Sequence, residues 1–479
     1  MKTKKTYLLV LLLAATMTTA CEDWLKIEPQ YEITEEDLYK NTAGYYKAIN
    51  GLYYQMSDIT MYGKELSWGM TDVWARYYAI DPASDYKGYP QMYNLEYDAK
   101  EAAAIASATW SAGYKIIAQA NDLIAHVKKA DENFFTLGEI DRNTILGEAY
   151  AIRAMMHFDL MRLFGTSMEV DPDGRYIAYV ETYPSTVNPP ISNREFMGKV
   201  IADLKLAHDL LKTYDVKIGP SQTTSTAYRF FATNMPSQGK FYSNRGTRLN
   251  YYAVTVLLSR ACLWAQQTED ALTYAQEIID LVTAKTLQFA TSSSISNTPK
   301  MFDDLLFGFY NEKLMETYEP YVNNTNSKRL TIDSKSFFTT PSGDRRSAFI
   351  NTSTNFMQKY TVKVSDKKDM IIPNIRISEA YYVAAECQYK TDMPSAAANL
   401  MVVRKARGYS SPALTGTETE EAFWEALTYE YRKEFIGEGQ LIFFFKRTNR
   451  PIAFSGGNFN HAGKLTLPVP DSESAIPNN

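Results

Sequence analysis

The chain has 479 residues, of which 45% are hydrophobic, and its 50 basic and 55 acidic residues leave a formal net charge of −5. This composition is typical of a globular protein, and the charges form no basic footprint for nucleic acid. Beyond the N-terminal segment no apolar run is long enough to cross a bilayer, so we predict that the mature chain does not span a membrane.

The N-terminus has three lysines within its first five residues, then a short apolar run, then small residues directly before Cys21. The apolar run is too short to span a bilayer core of about 30 Å, so it is interpreted as a cleaved signal. The arrangement resembles a bacterial lipoprotein signal, in which the thiol of Cys21 receives a diacylglycerol. We therefore expect residues 1–20 to be removed and 21–30 to form a lipidated tether; a plain secretory signal is the alternative.

Hydrophobic periodicity predicts a mainly α-helical chain. Candidate helices lie at about 35–57, 101–129, 141–164, 193–213, 247–266, 268–283, 374–391, 393–407 and 419–437. Alanine-rich pairs joined by tight turns predict a scaffold of tetratricopeptide-like helical hairpins, because small residues let antiparallel helices approach closely. The alternative is a set of unrelated helical hairpins that share alanines.

Long irregular stretches lie between the helices, at about 60–98, 171–192, 214–246 and 284–350. Loops of this length are either disordered or functional. Their many aromatic residues argue against disorder, so we interpret them as functional loop excursions from the helical scaffold.

Cysteine and histidine usage predicts neither a metal site nor a cofactor. Cys262 and Cys387 lie in helical patterns among alanines, so free buried thiols are expected, with a disulfide between them left open. The four histidines show no metal-ligand spacing.

Motifs of known enzyme classes are absent from the sequence. There is no G-x-S-x-G elbow, no glycine-rich phosphate loop and no histidine paired locally with an acid. The neighbouring carboxylates Asp303 and Asp304 are expected to point apart, whereas a glycosidase needs two carboxyls that face one bond. We therefore predict a protein that is not an enzyme.

Aromatic residues are the compositional anomaly, with 35 tyrosines, 23 phenylalanines and 6 tryptophans. One dense group lies at 66–97, and its candidate ligand contacts are Trp68, Asp72, Trp74, Arg76, Tyr77 and Tyr86. Sugar faces stack on such rings while acid, amide and guanidinium groups bond the hydroxyls, so the group predicts a binding platform. The alternative is that these rings pack the loop onto the helices.

Several ordered motifs carry a family resemblance over nearly the whole length. They include C-E-D-W-L at 21–25, I-R-I-S-E-A-Y-Y-V-A-A-E at 375–386, E-Y-R-K-E-F at 430–435 and L-P-V-P at 467–470. In these motifs the chain resembles the SusD/RagB family of outer-membrane nutrient-binding lipoproteins. Opposed charges in these motifs, such as Arg432 and Glu438, are expected to pair and fix the packing.

The resemblance implies a surface-exposed, non-catalytic lipoprotein anchored in the outer membrane and facing the medium. It implies capture of an oligomeric nutrient, most often a glycan, for delivery to a partner SusC-like TonB-dependent transporter. It also implies ligand contacts from the stretch before the C-terminal helices, here Tyr318, Tyr321 and Asn324. The competing hypotheses are a peptide-binding member of the same family and a secreted hydrolase.

The same resemblance divides the chain into two regions that pack as one globular unit. Residues 31–300 are expected to form an N-terminal helical region with the aromatic excursion. Residues 301–479 are expected to form the C-terminal region.

Overall fold

The computed structural model describes residues 34–474, apart from 82–85, 324–327, 334 and 340. The predicted signal, the tether with Cys21, and the predicted ligand contact Asn324 therefore lie outside the described residues.

Helices dominate the described residues, as predicted. Those of eight or more residues are α1 (Thr42–Met56), α2 (Lys100–Lys129), α3 (Glu139–Phe164), α4 (Asn193–Lys212), α5 (Tyr251–Trp264), α6 (Thr268–Thr283), α7 (Ile377–Gln388), α8 (Met393–Ala406), α9 (Glu420–Glu434) and α10 (Leu441–Thr448). Shorter α-helices are Glu35–Leu38, Met70–Trp74, Tyr89–Asn94, Ser221–Thr224, Thr226–Phe231, Leu314–Tyr318, Lys335–Thr339, Asp366–Asp369 and Asp471–Ser474, with a π-helix at Thr213–Ile218.

The strands are short and form antiparallel pairs. They are β1 (Tyr78–Ala79), β2 (Leu305–Tyr310), β3 (Thr331–Ile332), β4 (Ile371–Arg376), β5 (Ile452–Phe454) and β6 (Gly457–Phe459). β1 pairs with β3, β2 with β4, and β5 with β6.

Helices that follow one another along the chain pack against one another, from α2 through to α8. The α5–α6 hairpin shows how small residues permit this: the Ser259 hydroxyl donates to the Ala271 carbonyl at 2.9 Å, and both residues are buried. This arrangement confirms the predicted mainly α scaffold of helical hairpins. Helix α3 is buried on nearly all sides, as expected of a helix at the centre of such an array.

One hydrophobic cluster extends from Tyr45 to Leu467 and includes residues on both sides of position 300. Most of the long excursions contribute side chains to it. No helix in the described ranges combines the length and the apolar character that crossing a bilayer requires.

The structure corrects the predicted elements in the C-terminal half. The helix predicted from 374 begins at Ile377, and Ile371–Arg376 is strand β4, because its β-branched isoleucines pair with β2 and Pro373 disfavours a helix. Strand β2 also lies inside the stretch 284–350, which was predicted to be irregular. Helix α10 was not predicted because its two turns are too short to show a period.

The expected pairing of Arg432 with Glu438 is wrong. Glu438 instead accepts from Arg376 Nε at 2.6 Å and from Lys359 Nζ at 2.5 Å, in a fully buried cluster. Burial outweighs the nearby carboxylate and lowers the pKa of Lys359 to about 8. Arg432 and Glu438 are close along the chain, but in the folded protein the partners of Glu438 come from other segments.

Cys262 and Cys387 are both free, as predicted. Cys262 is buried and Cys387 is half-buried. Burial raises the pKa of each thiol to about 12, so both are protonated and unreactive at neutral pH.

Candidate ligand-binding groove

The two stretches predicted to share a site meet in the structure. β1 pairs with β3, and the Trp68 ring lies edge-on to Tyr318 and Tyr321 with centroid distances of 4.8 and 5.1 Å. The Tyr86 hydroxyl donates to the Arg329 carbonyl, which joins the same two stretches.

The predicted ligand contacts are nevertheless mostly enclosed. Trp68, Asp72, Trp74, Tyr77 and Tyr318 are at most 2% exposed, and Arg76 and Tyr86 are 5% and 6% exposed. Tyr321 is half-buried. A sugar stacks only on a ring with an open face. The enclosed rings are therefore packed inside the protein, in agreement with the alternative that they pack the loop onto the helices.

Two of these residues attach the excursion to the end of α9. Asp72 Oδ2 accepts from the Gly437 amide at 2.7 Å, and the Tyr77 hydroxyl donates to the Arg432 carbonyl at 2.7 Å. Burial raises the pKa of the Asp72 carboxyl well above its usual range. These hydrogen bonds fix the 66–97 excursion against the end of α9, and the adjacent surface rests on it.

That surface is an open groove of about 460 Å³. Its walls are α9, the β5–β6 hairpin and the short helix Lys335–Thr339. The partly exposed rings of Phe337, Tyr429 and Phe454 line it, and Phe337 and Tyr429 lie 5.1 Å apart between centroids. We call this the aromatic groove.

Helix α9 presents a polar and aromatic face to the aromatic groove. Glu421, Trp424, Glu425 and Thr428 follow the i, i+3, i+4, i+7 spacing that aligns side chains on one side of a helix. Thr419 caps this helix, since its hydroxyl accepts from the Ala422 amide at 3.2 Å. The cap fixes where the helix begins and therefore which side faces the groove.

The β5–β6 hairpin forms the opposite wall. Phe454 pairs with Gly457 across a tight turn, and Gly457 has a φ of +114°, which favours glycine. A Cβ at Gly456 would lie 2.5 Å from the Phe454 ring, so glycine is also needed there for the ring to cover the turn.

Arg432 connects the two walls of the groove on their buried side. The Arg432 guanidinium lies 5.0 Å from the centroids of both Tyr77 and Phe337, and donates to the Ala75 carbonyl at 3.1 Å and to the Ala453 carbonyl. Burial lowers the pKa of Arg432 to about 10, which still leaves it charged at neutral pH. One buried cation thus joins α9, the excursion and the hairpin.

Arg76, a predicted contact, has a similar supporting role. Its guanidinium lies 3.9 Å from the Tyr93 ring centroid and 3.6 Å from that of Phe459. Arg76 and Tyr77 do not line the aromatic groove, but they contact Phe454 and Arg432 beside it.

The polar groups in the groove have unused hydrogen-bonding capacity. Among the described residues, the side chains of Glu421, Glu425, Tyr429 and Asn458 form no hydrogen bond or ion pair with another residue. Burial, with a smaller effect of Glu425, raises the pKa of the Tyr429 hydroxyl, which remains a donor at neutral pH. Open rings beside unpaired donors and acceptors are what a polyhydroxylated ligand requires.

The sequence prediction missed these residues, although one signal was present. The spacing of Glu421, Glu425 and Tyr429 places an aromatic ring and two acids on one helix face. No local pattern marks Phe337, Phe454 or Asn458, because they meet α9 only through the tertiary fold.

A second groove, of about 610 Å³, contains Trp110, Tyr114 and Tyr176. Trp110 is only 7% exposed, and the Tyr114 hydroxyl already donates to the Ala178 carbonyl at 2.9 Å. This groove is larger than the aromatic groove, but its aromatic groups are more fully engaged.

The carboxylates considered for catalysis have other partners. Asp304 is buried against Arg407, whereas Asp303 accepts from the Thr226 hydroxyl at 2.5 Å, so the two groups serve different neighbours.

One group in the described residues brings metal-ligating atoms together, with atoms of Glu35, Asp122 and His126 within 4.8 Å of one another. His126 Nδ1 lies 3.0 Å from the Asp122 carbonyl, and its Nε2 lies 3.2 Å from Glu35. The expectation that no histidine is paired locally with an acid is wrong here, because Asp122 and His126 lie one turn apart on α2 with side chains 3.3 Å apart. Only Glu35, which comes from a separate short helix, had no local signal.

Family models and solved structures match this chain over most of its length. Residues 23–233 match a family model described as starch-binding and associating with the outer membrane, and residues 168–467 match the model of the SusD family. A SusD-like protein P2 from Formosa agariphila is 28% identical over 232 residues, which are 48% of this chain and 42% of that relative. The match thus spans less than half of the relative's length.

Solved structures share the architecture at low identity. A SusD superfamily protein from Bacteroides thetaiotaomicron has a TM-score of 0.69 and 21% identity, covering 91% of this chain and 98% of that one. A putative sugar binding protein from Bacteroides vulgatus has a TM-score of 0.70 and 21% identity, covering 91% and 96%. Surface glycan-binding protein A from B. thetaiotaomicron, solved with laminarihexaose, has a TM-score of 0.61 and 14% identity, covering 90% and 97%.

Proposed function

Because this chain belongs to the SusD family, we propose that it is a non-catalytic glycan-binding protein whose ligand lies in the aromatic groove. The observation that carries this proposal is the pairing of open rings with polar groups that have no partner among the described residues. The description of the matching family and the laminarihexaose complex of a structural neighbour support a glycan as the ligand.

The positions of the carboxylates support binding without cleavage. Glu421 and Glu425 are one helical turn apart on the same wall of the groove. Glycoside hydrolysis needs two carboxyls that flank the scissile bond, whereas a single row of acceptors suits hydroxyl recognition. The secreted hydrolase remains the competing hypothesis, and turnover of an oligosaccharide by the purified protein would favour it.

The groove can be tested by calorimetry with maltohexaose, laminarihexaose and a panel of hexapeptides. Replacing both Tyr429 and Phe454 with alanine is expected to weaken glycan binding about tenfold or more, because each ring contributes about 0.5–1.5 kcal/mol beyond its buried area. Both side chains are partly exposed, so the variant is expected to fold.

Tyr54→Ala is the matched control, because Tyr54 is 77% exposed on α1 and outside the groove. Unchanged affinity in the double variant would show that the ligand binds elsewhere. Binding to peptides alone would favour the peptide-binding alternative.

The proposal extends to location and partner. A lipid on Cys21 would anchor the protein in the outer membrane, facing the medium, and residues 21–30 would act as a tether. The bound glycan would then pass to a SusC-like TonB-dependent transporter, over which this protein would sit as a hinged lid. The family description, which names association with the outer membrane, supports this location.

Cys21→Ala is expected to release the protein from the membrane, because stable anchoring needs two or more acyl chains. Fractionation of host cells and protease treatment of intact cells measure this directly, with Cys387→Ala as the control for loss of a cysteine. Retention of the Cys21 variant at the cell surface, with uptake intact, would contradict the anchored-lid mechanism.

A further inference from the structure

The charges along the aromatic groove are unevenly distributed. Glu421 and Glu425 are exposed on its α9 wall, and neither is ion-paired with a described residue. Asp333, outside the groove lining, accepts from the Ser455 hydroxyl of the hairpin turn at 2.6 Å. The two lining carboxylates therefore both lie on the α9 wall.

Three cations lie near the groove, and each contacts a ring or a backbone carbonyl, which leaves its charge in place. Arg450 lies over the Trp424 ring, with its guanidinium 4.2 Å from the ring centroid. Arg432 is buried behind Phe337 and donates to backbone carbonyls, and Lys335 Nζ donates to the Thr352 carbonyl at 2.9 Å. Among the described residues Arg450 is the one cation that lines the groove, against the two lining acids Glu421 and Glu425.

The α9 N-terminus would by itself attract an anion, since a helix carries a partial positive charge there. Glu420 and Glu421 occupy its first turn. Their charges offset that field, so the helix end gives an anionic ligand little advantage.

We infer that the aromatic groove discriminates by charge, binding neutral oligosaccharides and rejecting those that carry carboxylate groups. This inference rests on the proposed function, because it concerns the ligand class of the same groove. Like charges brought together at a binding surface weaken the wrong complex and thereby set specificity.

The test compares maltohexaose and laminarihexaose with the same oligosaccharides oxidised to carboxylates at C6, by calorimetry at low and high salt. The linkage and the ring faces are thereby kept, and each oxidised residue exchanges its primary hydroxyl for a carboxylate. We expect the oxidised forms to bind wild type at least tenfold more weakly, with a smaller difference at high salt because exposed charges are screened.

A paired variant isolates the two acids. Glu421→Gln with Glu425→Gln is expected to raise affinity for the oxidised forms about tenfold and to change affinity for the neutral forms less than threefold. Glu316→Gln, an exposed acid outside the groove, is the control and should change neither.

The outcomes separate this inference from the function on which it rests. Wild-type binding of an oxidised form as tightly as its neutral form overturns the charge discrimination but leaves glycan binding intact. Binding of neither form overturns the proposed function and the inference together. An unchanged preference in the paired glutamine variant assigns the discrimination to other groups and overturns the role of these two acids.

Discussion

Replacing Glu434 with alanine is expected to lower the free energy of unfolding by about 3 kcal/mol or more. Glu434 is fully buried and accepts from Arg407 Nε and Arg346 Nη1, each at 3.1 Å. These guanidiniums hold the pKa of Glu434 well below its usual range, so the carboxylate is charged. Its removal leaves two buried cations with fewer counter-charges.

The remaining partners set the size of this effect. Arg407 also contacts Asp304, and Arg346 also contacts Asp344, so neither cation is left entirely unpaired. We therefore expect a loss near the lower end of what breaking a buried ion pair costs, which is about 3–5 kcal/mol.

Urea denaturation followed by circular dichroism measures this loss. Glu316→Ala is the matched control, since an exposed glutamate is expected to change stability by no more than about 0.5 kcal/mol. A similar small change in the Glu434 variant would show that the buried charge cluster contributes little to stability.

Trp68→Ala is expected to destabilise the fold by about 3–5 kcal/mol, the usual cost of removing a large ring from a packed core. Trp68 is 0% exposed, and its ring packs against Tyr318 and Tyr321. Because the ring is enclosed and does not line the aromatic groove, glycan affinity of the folded variant should change less than threefold.

This substitution separates the two roles that the sequence allowed for Trp68. Denaturation measures the structural role, and calorimetry below the unfolding transition measures ligand contact. Trp68→Phe serves as the comparison, because it keeps a ring and should recover much of the lost stability. Large loss of affinity with little loss of stability would restore Trp68 as a ligand contact.

Sequence reasoning predicted the scaffold well, because helical periodicity and alanine spacing are local properties. The hairpins from α2 to α8 follow directly from them. The family resemblance implied ligand contacts from both the 66–97 excursion and the stretch at Tyr318, and in the structure these two stretches touch through Trp68 and Tyr318. The sequence did not predict which aromatic rings remain exposed.

The orientation of a ring in a long loop depends on the neighbours that cover it. Trp68 and Tyr77 have the same chemistry as the more exposed Tyr429, and nothing local distinguishes them. Arg432 illustrates the same difficulty for charges: Glu438 lies six residues away along the chain, yet the Arg432 guanidinium lies between Tyr77 and Phe337.

The sequence by itself therefore determined the helical class, the family and the absence of familiar catalytic motifs, since each depends on residues that are close along the chain. Only the tertiary structure decided which aromatic residues form the core and which line the aromatic groove. Burial depends on contacts between segments far apart in sequence, such as α9, the β5–β6 hairpin and Phe337. These contacts leave Glu421, Glu425 and Tyr429 free to meet a ligand.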